Sequence, residues 1–337
     1  MKITRPAPVL AALGLVAALA ACGGPSNADA VKDDGSVDLS KVSLVVGDQK
    51  GGSESLLKAA GELDDVPYDI AWKPFTSGPP LLDAVGGGSV DIGGVGNTPP
   101  LFAINEGKKV KVVHAAEQSA EGDAIVVPKD SPLTSVAALK GKKVAVAKGS
   151  SANYNLLAQL KDAGLSFSDI EPVYLQPTEA LSAFRGNHVD AWAIWDPFTS
   201  QAEELVGARV LSTGEDLVNG LVFQLASDKA LGDKATRAAI EDYLARLSRA
   251  QVWTNDHKDE WAQTWAKDTG LDPAVTARAI ERRNFKPIPV PSAVESEQQM
   301  WDAFAAEKQL GASVDLTPYF VSTFDRSSLA AAQEETR

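Results

Sequence analysis

Residues 82–99 read L-D-A-V-G-G-G-S-V-D-I-G-G-V-G-N-T-P, and residues 181–198 read L-S-A-F-R-G-N-H-V-D-A-W-A-I-W-D-P-F. At a constant offset of 99 the two stretches share a leucine, an alanine, a glycine and a Val-Asp pair. Upstream, V-G-D-Q-K-G-G-S at 46–53 is echoed at an offset of 98 by V-A-V-A-K-G-S-S at 144–151. This repeat predicts two similar α/β lobes with a ligand cleft between them.

Strand and helix patterns alternate through both copies of the repeat. Buried-strand patterns at 42–47 and 90–95 correspond to those at 143–147 and 191–194, and helical patterns separate them. Such alternation predicts a mostly parallel sheet with helices on both faces. We expect lobe 1 to comprise 41–120 plus 222–320, lobe 2 to comprise 121–221, and a C-terminal tail to occupy 321–337. Within lobe 1, the pattern from Lys229 to about residue 310 is helical.

The N-terminus is typical of an exported protein. Lys2 and Arg5 precede an apolar run that ends in Leu19-Ala20-Ala21-Cys22. This tetrapeptide is similar to a bacterial lipobox, so residues 1–21 are predicted to be a lipoprotein signal peptide, with lipid attached at Cys22. Small polar residues follow, and we expect 22–40 to be a flexible tether. Because Cys22 is the only cysteine of the chain, a disulfide within one chain is excluded.

Charge narrows the choice of partners. The chain of 337 residues has a formal net charge of −13. Cleavage before Cys22 would remove Lys2, Arg5 and no acidic residue, which gives −15. This excess of negative charge disfavours nucleic acid and basic-patch contact with a membrane. With the lipobox-like segment, we expect a protein of the cell envelope, at the outer face of the plasma membrane or in the periplasm, held at the membrane by lipid alone. We also expect a monomer.

Four turns share one property that suits an anion. Lys50-Gly51-Gly52-Ser53, Ser77-Gly78-Pro79, Asn97-Thr98-Pro99 and Gly149-Ser150-Ser151 each connect a predicted strand to a predicted helix. Helix N-termini present free N–H groups, glycine allows close approach of the backbone, and hydroxyls add donors. Any one turn is explained as well by ordinary helix capping. Four of them at repeated positions predict a small anion held mainly by neutral donors.

The aromatic residues that follow one repeated strand have different predicted roles. Trp192 lies within the strand and is expected in the core. Trp195 lies at the strand end beside Asp196 and Pro197, where its side chain is able to reach the cleft. There it either packs on an apolar tail of the ligand or shields the hinge. Asp196 either caps the next turn or accepts a hydrogen bond from a ligand.

Enzyme signatures are missing from the sequence. It contains no G-x-S-x-G, H-E-x-x-H or Walker motif, and its three histidines are scattered. We therefore predict a binding protein that has no catalytic residue, no cofactor and no metal site.

The chain resembles the substrate-binding lipoproteins of ABC uptake systems for aliphatic sulfonates, within the wider nitrate/sulfonate/taurine group. The resemblance is carried by residues 49–53, 75–84, 90–100, 127–151 and 189–198. It implies a two-lobed periplasmic-binding-protein fold of type II that closes on its ligand and docks with a permease and its ATPase. It also implies that main-chain and hydroxyl donors of the four turns hold the sulfonate head, and that Trp195 and Asp196 line the cleft.

The turns and the resemblance together give a set of candidate ligand-binding residues. The predicted set is Gln49, Lys50, Gly51, Gly52, Ser53, Ser77, Gly78, Asn97, Thr98, Glu117, Ser150, Ser151, Asn153, Trp195 and Asp196.

One residue departs from the pattern of that family, which often has aspartate where this chain has Asn97. Loss of a carboxylate beside an anion removes a repulsion, so we expect a preference for sulfonates without a nearby cationic group.

The predicted function is capture of alkanesulfonates for uptake as a sulfur source. Binding of taurine, nitrate or a pyrimidine thiamine precursor is the alternative. A desulfinase-like enzyme is a third, but such enzymes use a cysteine nucleophile, and the sole cysteine of this chain lies in the lipobox-like segment.

Overall fold

The computed structural model describes residues 27–336. The predicted signal peptide and Cys22 lie outside these residues. The strands are β1 (Ser43–Gln49), β2 (Asp69–Phe75), β3 (Ile92–Gly96), β4 (Val110–Gln118), β5 (Ala124–Val127), β6 (Lys143–Val146), β7 (Glu171–Tyr174), β8 (Ala191–Ile194), β9 (Arg209–Thr213), β10 (Leu221–Ser227) and β11 (Phe285–Ile288). The helices are α1 (Ser53–Ala59), α2 (Gly78–Gly86), α3 (Thr98–Asn105), α4 (Ser151–Asp162), α5 (Pro177–Arg185), α6 (Phe198–Val206), α7 (Asp228–Gly232), α8 (Lys234–Trp253), α9 (Lys258–Thr269), α10 (Pro273–Glu281), α11 (Val294–Ala306) and α12 (Asp325–Glu335).

The strands form two sheets, which confirms the prediction of two α/β lobes. The first sheet has the order β11-β4-β10-β3-β1-β2, and the second has the order β7-β6-β8-β5-β9. The two copies of the repeat therefore form matching cores, β2-β1-β3 and β7-β6-β8, and the strands within each core are parallel. The chain crosses between the sheets after β4 and returns after β9.

The prediction of mostly parallel sheets is wrong outside these cores. Strand β10 pairs antiparallel with β3 and β4, β11 pairs antiparallel with β4, and β5 pairs antiparallel with β8 and β9. Strands β5 and β10 are those that enter a lobe from the other one, and they run opposite to the strands they join. Helix–strand alternation in the sequence carries no information about this crossing.

The repeated Val-Asp pair has a structural role in both lobes. The Asp91 carboxylate accepts a hydrogen bond from the Val45 amide at 2.9 Å, and the Asp190 carboxylate accepts one from the Lys143 amide at 2.8 Å. The main-chain amide of each aspartate donates to the carbonyl of the same partner. Each aspartate therefore fixes the start of the third core strand against the first, which explains the repeat without a ligand.

Both ends of the described chain pack against helix α8. The Asn27 side chain donates hydrogen bonds to the Ser43 carbonyl and to the Thr236 hydroxyl, and Ala30 is fully buried. Residues 27–40 thus differ from the flexible tether expected there. Helix α12 buries Ala331 and Ala332 and makes extensive contact with α8, so this part of the expected tail is an integral helix.

The tryptophans of the C-terminal helices lie in the core, as predicted. Trp261, Trp265 and Trp301 are fully buried, and Trp253 is partly buried against His257. Trp192 is also fully buried, as expected for its place within β8. Within residues 27–336, no helix has the length and apolar character needed to cross a membrane.

Candidate functional site

A cavity of about 150 Å³ lies between the lobes, where strands of both sheets end and the predicted turns begin. Its walls come from the β1–α1 turn, the first residues of α2 and α4, the end of β8 and the segment between α10 and β11. Ten predicted residues line it: Gln49, Lys50, Gly51, Gly52, Ser53, Gly78, Ser150, Ser151, Trp195 and Asp196. Five predicted residues do not: Ser77, Asn97, Thr98, Glu117 and Asn153.

The β1–α1 turn is capped by a carboxylate of the chain itself. Asp48 accepts hydrogen bonds from the Ser53 amide at 2.9 Å and the Glu54 amide at 3.0 Å. Burial raises the pKa of Asp48 to about 7, against the opposing effect of these amides. Two donors that the sequence suggested for a ligand are therefore occupied, and helix α1, with seven residues, is short.

Gly51 and Gly52 have a packing role in this turn. Gly51 has a φ of +78°, and a Cβ there would lie 1.8 Å from the Trp265 ring. At Gly52, a Cβ would lie 2.0 Å from an Asp48 carboxylate oxygen. The glycine pair lets the turn close over Trp265 and Asp48, and both residues line the cavity; their role in close approach of a ligand stays a prediction.

The turns before α2 and α3 also use their polar side chains internally. The Ser77 hydroxyl donates to the Gln176 side chain of the second lobe at 2.8 Å, and so joins the lobes. The Asn97 side chain is only 2% exposed; it donates to Asn219 at 2.8 Å and accepts from the Thr98 hydroxyl at 2.9 Å. Because Asn97 does not line the cavity, it offers no direct basis for the expected preference against cationic sulfonates.

Helix α4 begins with donors that remain available. The Ser150 hydroxyl donates to the Ala147 carbonyl, and Asn153 accepts from the Gly149 amide at 2.9 Å, which fixes the turn. Within residues 27–336, the amides of Ser151 and Ala152 have no hydrogen-bond acceptor. These two adjacent N–H groups, at the positive end of a twelve-residue helix, are suited to an anion.

Two buried aspartates face the same space. Asp123 accepts a hydrogen bond from the Ser151 hydroxyl at 3.0 Å; burial, together with the nearby Asp196 charge, raises its pKa to about 6. One oxygen of Asp196 accepts from the amide and hydroxyl of Ser200 and caps α6. Its other oxygen, Oδ2, has no hydrogen-bond donor within residues 27–336.

Two arginines that the sequence analysis missed face these acids. Arg283 stacks over Trp265 at 5.2 Å and donates to the Asp196 carbonyl at 3.0 Å. No carboxylate of residues 27–336 lies within ion-pair distance of Arg283, and burial lowers its pKa. Arg282 pairs with Glu203 and lies 3.6 Å from the free oxygen of Asp196.

The position of these arginines explains why they were missed. The sequence pattern predicts a continuous helical region here, whereas α10 ends before Arg282 and β11 begins at Phe285. The available signal was the consecutive Arg282-Arg283 pair just before an apolar, proline-containing segment.

The remaining predicted residues have clear positions. Trp195 is partly buried, packs edge-on against Phe198 and lines the cavity. The Gln49 side chain donates to the Gly94 carbonyl at 2.9 Å, and exposed Lys50 lies at the cavity rim. Glu117 is 48% exposed and pairs with Lys286 outside the cavity.

In the part of the chain that the structure describes, no cluster of His, Cys, Asp and Glu has an arrangement that could hold a metal ion.

Comparisons with known proteins agree with this architecture. Over 285 residues the chain is 36% identical to an Escherichia coli (strain K12) protein named "Putative aliphatic sulfonates-binding protein", covering 83% of this chain and 88% of that protein. The solved alkanesulfonate-binding protein SsuA from Xanthomonas axonopodis pv. citri, bound to MOPS, is 35% identical with a TM-score of 0.75, over 82% of this chain and 97% of its own. The solved periplasmic aliphatic sulphonate binding protein SsuA from Escherichia coli is 35% identical with a TM-score of 0.73, over 83% and 92%.

These structures confirm the periplasmic-binding-protein fold. The NMT1-like family matches residues 42–268, which include both copies of the repeat and most of the walls of the cavity. With this match and with relatives similar over most of its length, the chain belongs to the NMT1-like family.

Proposed function

We propose that this protein is the extracytoplasmic substrate-binding component of an ABC importer and that it captures alkanesulfonates for uptake as a sulfur source. The observation that carries the proposal is the pairing, in one cavity, of open amides at the start of α4 with the guanidinium of Arg283. The named sulfonate-binding relatives support the same ligand class.

The cavity suits both ends of such a ligand. The Ser151 and Ala152 amides are neutral donors, and Arg283 supplies a positive charge with no carboxylate of the described residues within ion-pair distance. Hydrogen bonds that involve a charged group are the stronger ones. Trp195, Leu221 and Phe223 line the same cavity and offer apolar surface to an alkyl chain. The sulfonate head therefore binds at α4 and Arg283, and the tail packs on the aromatic wall.

A panel of anions tests this proposal. Calorimetric titration of the lipid-free protein would use ethanesulfonate, octanesulfonate, taurine, sulfate and nitrate. We expect an alkanesulfonate to bind with a dissociation constant of about 1 µM or below, and sulfate and nitrate to bind weakly. Absence of heat from every sulfonate would contradict the proposal and direct the search to pyrimidine precursors.

The cellular context belongs to the same proposal. A signal peptide over residues 1–21 exports the chain, lipid at Cys22 anchors it, and the monomer delivers its ligand to a permease and its ATPase. The lipobox-like Leu19-Ala20-Ala21-Cys22 supports the anchor. Membrane fractionation tests it: the wild-type protein should sediment with membranes, and a Cys22→Ser variant should not be lipidated. Equal lipid labelling of both proteins would contradict an anchor at Cys22.

The proposal includes binding without turnover. A desulfinase-type reaction requires a cysteine nucleophile, and the only cysteine of this chain, Cys22, lies in the lipobox-like segment. Bound alkanesulfonate should be recovered unchanged, and mass spectrometry of the ligand after prolonged incubation checks this. Release of sulfite or another product would contradict it.

A further inference from the structure

Two carboxylates stand in a cavity that is suited to an anion, and they point to a specificity device. We propose that Asp123 is a specificity-determining residue that admits monovalent sulfonates and rejects divalent anions such as sulfate. This inference rests on the proposed function, because it assigns a role within the same cavity.

The geometry places Asp123 beside the anion position. Its carboxylate accepts from the hydroxyl of Ser151 at 3.0 Å, and the Ser151 backbone amide is one of the two open donors of α4. Asp123 is only 8% exposed, so water screens its charge poorly. An anion bound at the α4 amides therefore lies next to this carboxylate.

Asp196 reinforces the negative charge. A Cβ at Gly122, the residue before Asp123, would lie 2.7 Å from the Oδ2 oxygen of Asp196. This oxygen is buried and has no hydrogen-bond donor within residues 27–336, and Asp196 lines the same cavity. The charge of Asp196 also raises the pKa of Asp123, so the two carboxylates lie near one another in the lining of the cavity.

The surrounding cations do not cancel both acids. Arg283 faces Asp123 and Asp196 without a close ion pair, and Arg282 divides its charge between Glu203 and the Oδ2 oxygen of Asp196, which lies 3.6 Å away. At the edges, Glu121 lies 3.8 Å from Arg282, exposed Lys50 lines the rim, and Asp48 is held by amides of α1. The cations at the cavity are therefore matched by acids, and no excess of positive charge is present to compensate a second negative charge on a ligand.

Charge and shape then separate sulfonate from sulfate. A dianion meets about twice the repulsion from Asp123 that a monoanion meets, and in a buried site this repulsion is large. A sulfonate also replaces one sulfate oxygen with carbon, which is able to face Trp195 rather than a carboxylate. Sulfate has to place an additional charged oxygen against either an acid or an aromatic ring.

Protonation of Asp123 should remove the preference of the site for sulfonate over sulfate. A neutral carboxyl group no longer repels an anion and is able to donate a hydrogen bond to it. The raised pKa of this group, about 6, means that protonation begins in mildly acidic solution. The ratio of sulfate affinity to ethanesulfonate affinity should therefore rise as the pH falls from about 7.5 to about 5.

The experiment compares wild type, Asp123→Asn and Asp130→Asn by calorimetry with ethanesulfonate and sulfate. Asp130 is exposed in the same lobe, so its variant is matched for the charge change. We expect Asp123→Asn to raise the ratio of sulfate affinity to ethanesulfonate affinity by about tenfold or more at pH 7.5, and to weaken its pH dependence, of which Asp48 in the same cavity keeps a share. Asp130→Asn should keep both properties of the wild type.

The outcomes distinguish this inference from the proposed function. If wild type binds ethanesulfonate but the ratio stays within about twofold in Asp123→Asn, the inference is overturned and the proposed function stands. If Asp123→Asn does not fold, the pH dependence of the wild-type ratio decides alone, and a constant ratio overturns the inference. If the wild-type protein binds no sulfonate, both the proposed function and the inference on Asp123 are contradicted.

Discussion

At the scale of single residues, Arg283 is the side chain on which the charge of the site depends. It is held over Trp261 and Trp265 and has no carboxylate partner within residues 27–336 at ion-pair distance. Arg283→Gln should weaken alkanesulfonate binding by about tenfold to a hundredfold, because a charged hydrogen bond is lost. Calorimetry measures the change. Arg237→Gln, at an exposed arginine, is the matched control, and equal affinity of the two folded variants would contradict the role of Arg283.

Gly51 gives a prediction about stability. A side chain at this position would require both a left-handed backbone and displacement of Trp265. Gly51→Ala should lower the free energy of unfolding by about 2–4 kcal/mol, as backbone strain adds to overpacking. Gly107→Ala is the control, because Gly107 has a φ of +72° but a Cβ added there would meet no atom of the described residues within 4 Å. Equal losses in urea denaturation would show that the Trp265 contact is unimportant.

The sequence indicated which turn residues line the cavity, but it did not indicate what the amides and side chains of those turns contact. Ten of the predicted residues line the cavity because strand ends followed by helices are visible locally. The occupation of α1 amides by Asp48 and the burial of Asn97 depend on tertiary contacts that no local pattern encodes. Arg283 was missed for the same reason, since its importance comes from Trp265 and Asp196, which are distant in sequence.

At the scale of elements, helix α11 contains a buried acid with a measurable consequence. Glu297 is fully buried, and burial raises its pKa to about 8, while a hydrogen bond from Asn219 opposes the shift. Because the folded state holds this proton more tightly than the unfolded chain does, the contribution of Glu297 to stability falls as the pH rises from about 4.5 to about 8.

The isosteric variant Glu297→Gln tests this assignment. It should raise the free energy of unfolding by about 2–4 kcal/mol at pH 9 and flatten the decline with pH, because a buried charge is removed. Glu295→Gln, at an exposed position of the same helix, should follow the wild type. A pH profile of Glu297→Gln that coincides with that of the wild type would contradict the buried-acid account.

The elements themselves were largely predictable. The repeat at offsets of 98 and 99 indicated both parallel cores, since each copy has its own strand and turn signals. The antiparallel β5 and β10 were recognisable as strands, but their direction depends on where the chain crosses between lobes. Residues 27–40 looked like a tether because their polarity hides the few contacts that dock them on α8.

At the scale of the whole molecule, ion pairs join the lobes beside the cavity. Glu203 of α6 pairs with Arg278 and Arg282 of the first lobe. Burial alone would raise the pKa of Glu203, but hydrogen bonds from both arginines lower it. On the other side, Ser77 and Gln176 form a second contact between the lobes. These contacts favour the arrangement that encloses the cavity.

Loss of the Glu203 pairs should therefore weaken ligand retention. Glu203→Gln is expected to raise the dissociation constant for an alkanesulfonate by about threefold to tenfold, mainly through faster release, because the closed arrangement loses stability. Stopped-flow tryptophan fluorescence measures both rates. Glu215→Gln, at an exposed site of the same lobe, provides the control, and identical release rates for the two variants would contradict a role of Glu203 in closure.

The most direct test of the whole account is a crystal structure of the lipid-free protein with ethanesulfonate. We expect sulfonate oxygens within hydrogen-bond distance of the Ser151 and Ala152 amides and of the Arg283 guanidinium, with the alkyl group against Trp195. A sulfonate held instead at the Asp48-capped turn of α1, or bound outside the cavity between the lobes, would contradict it.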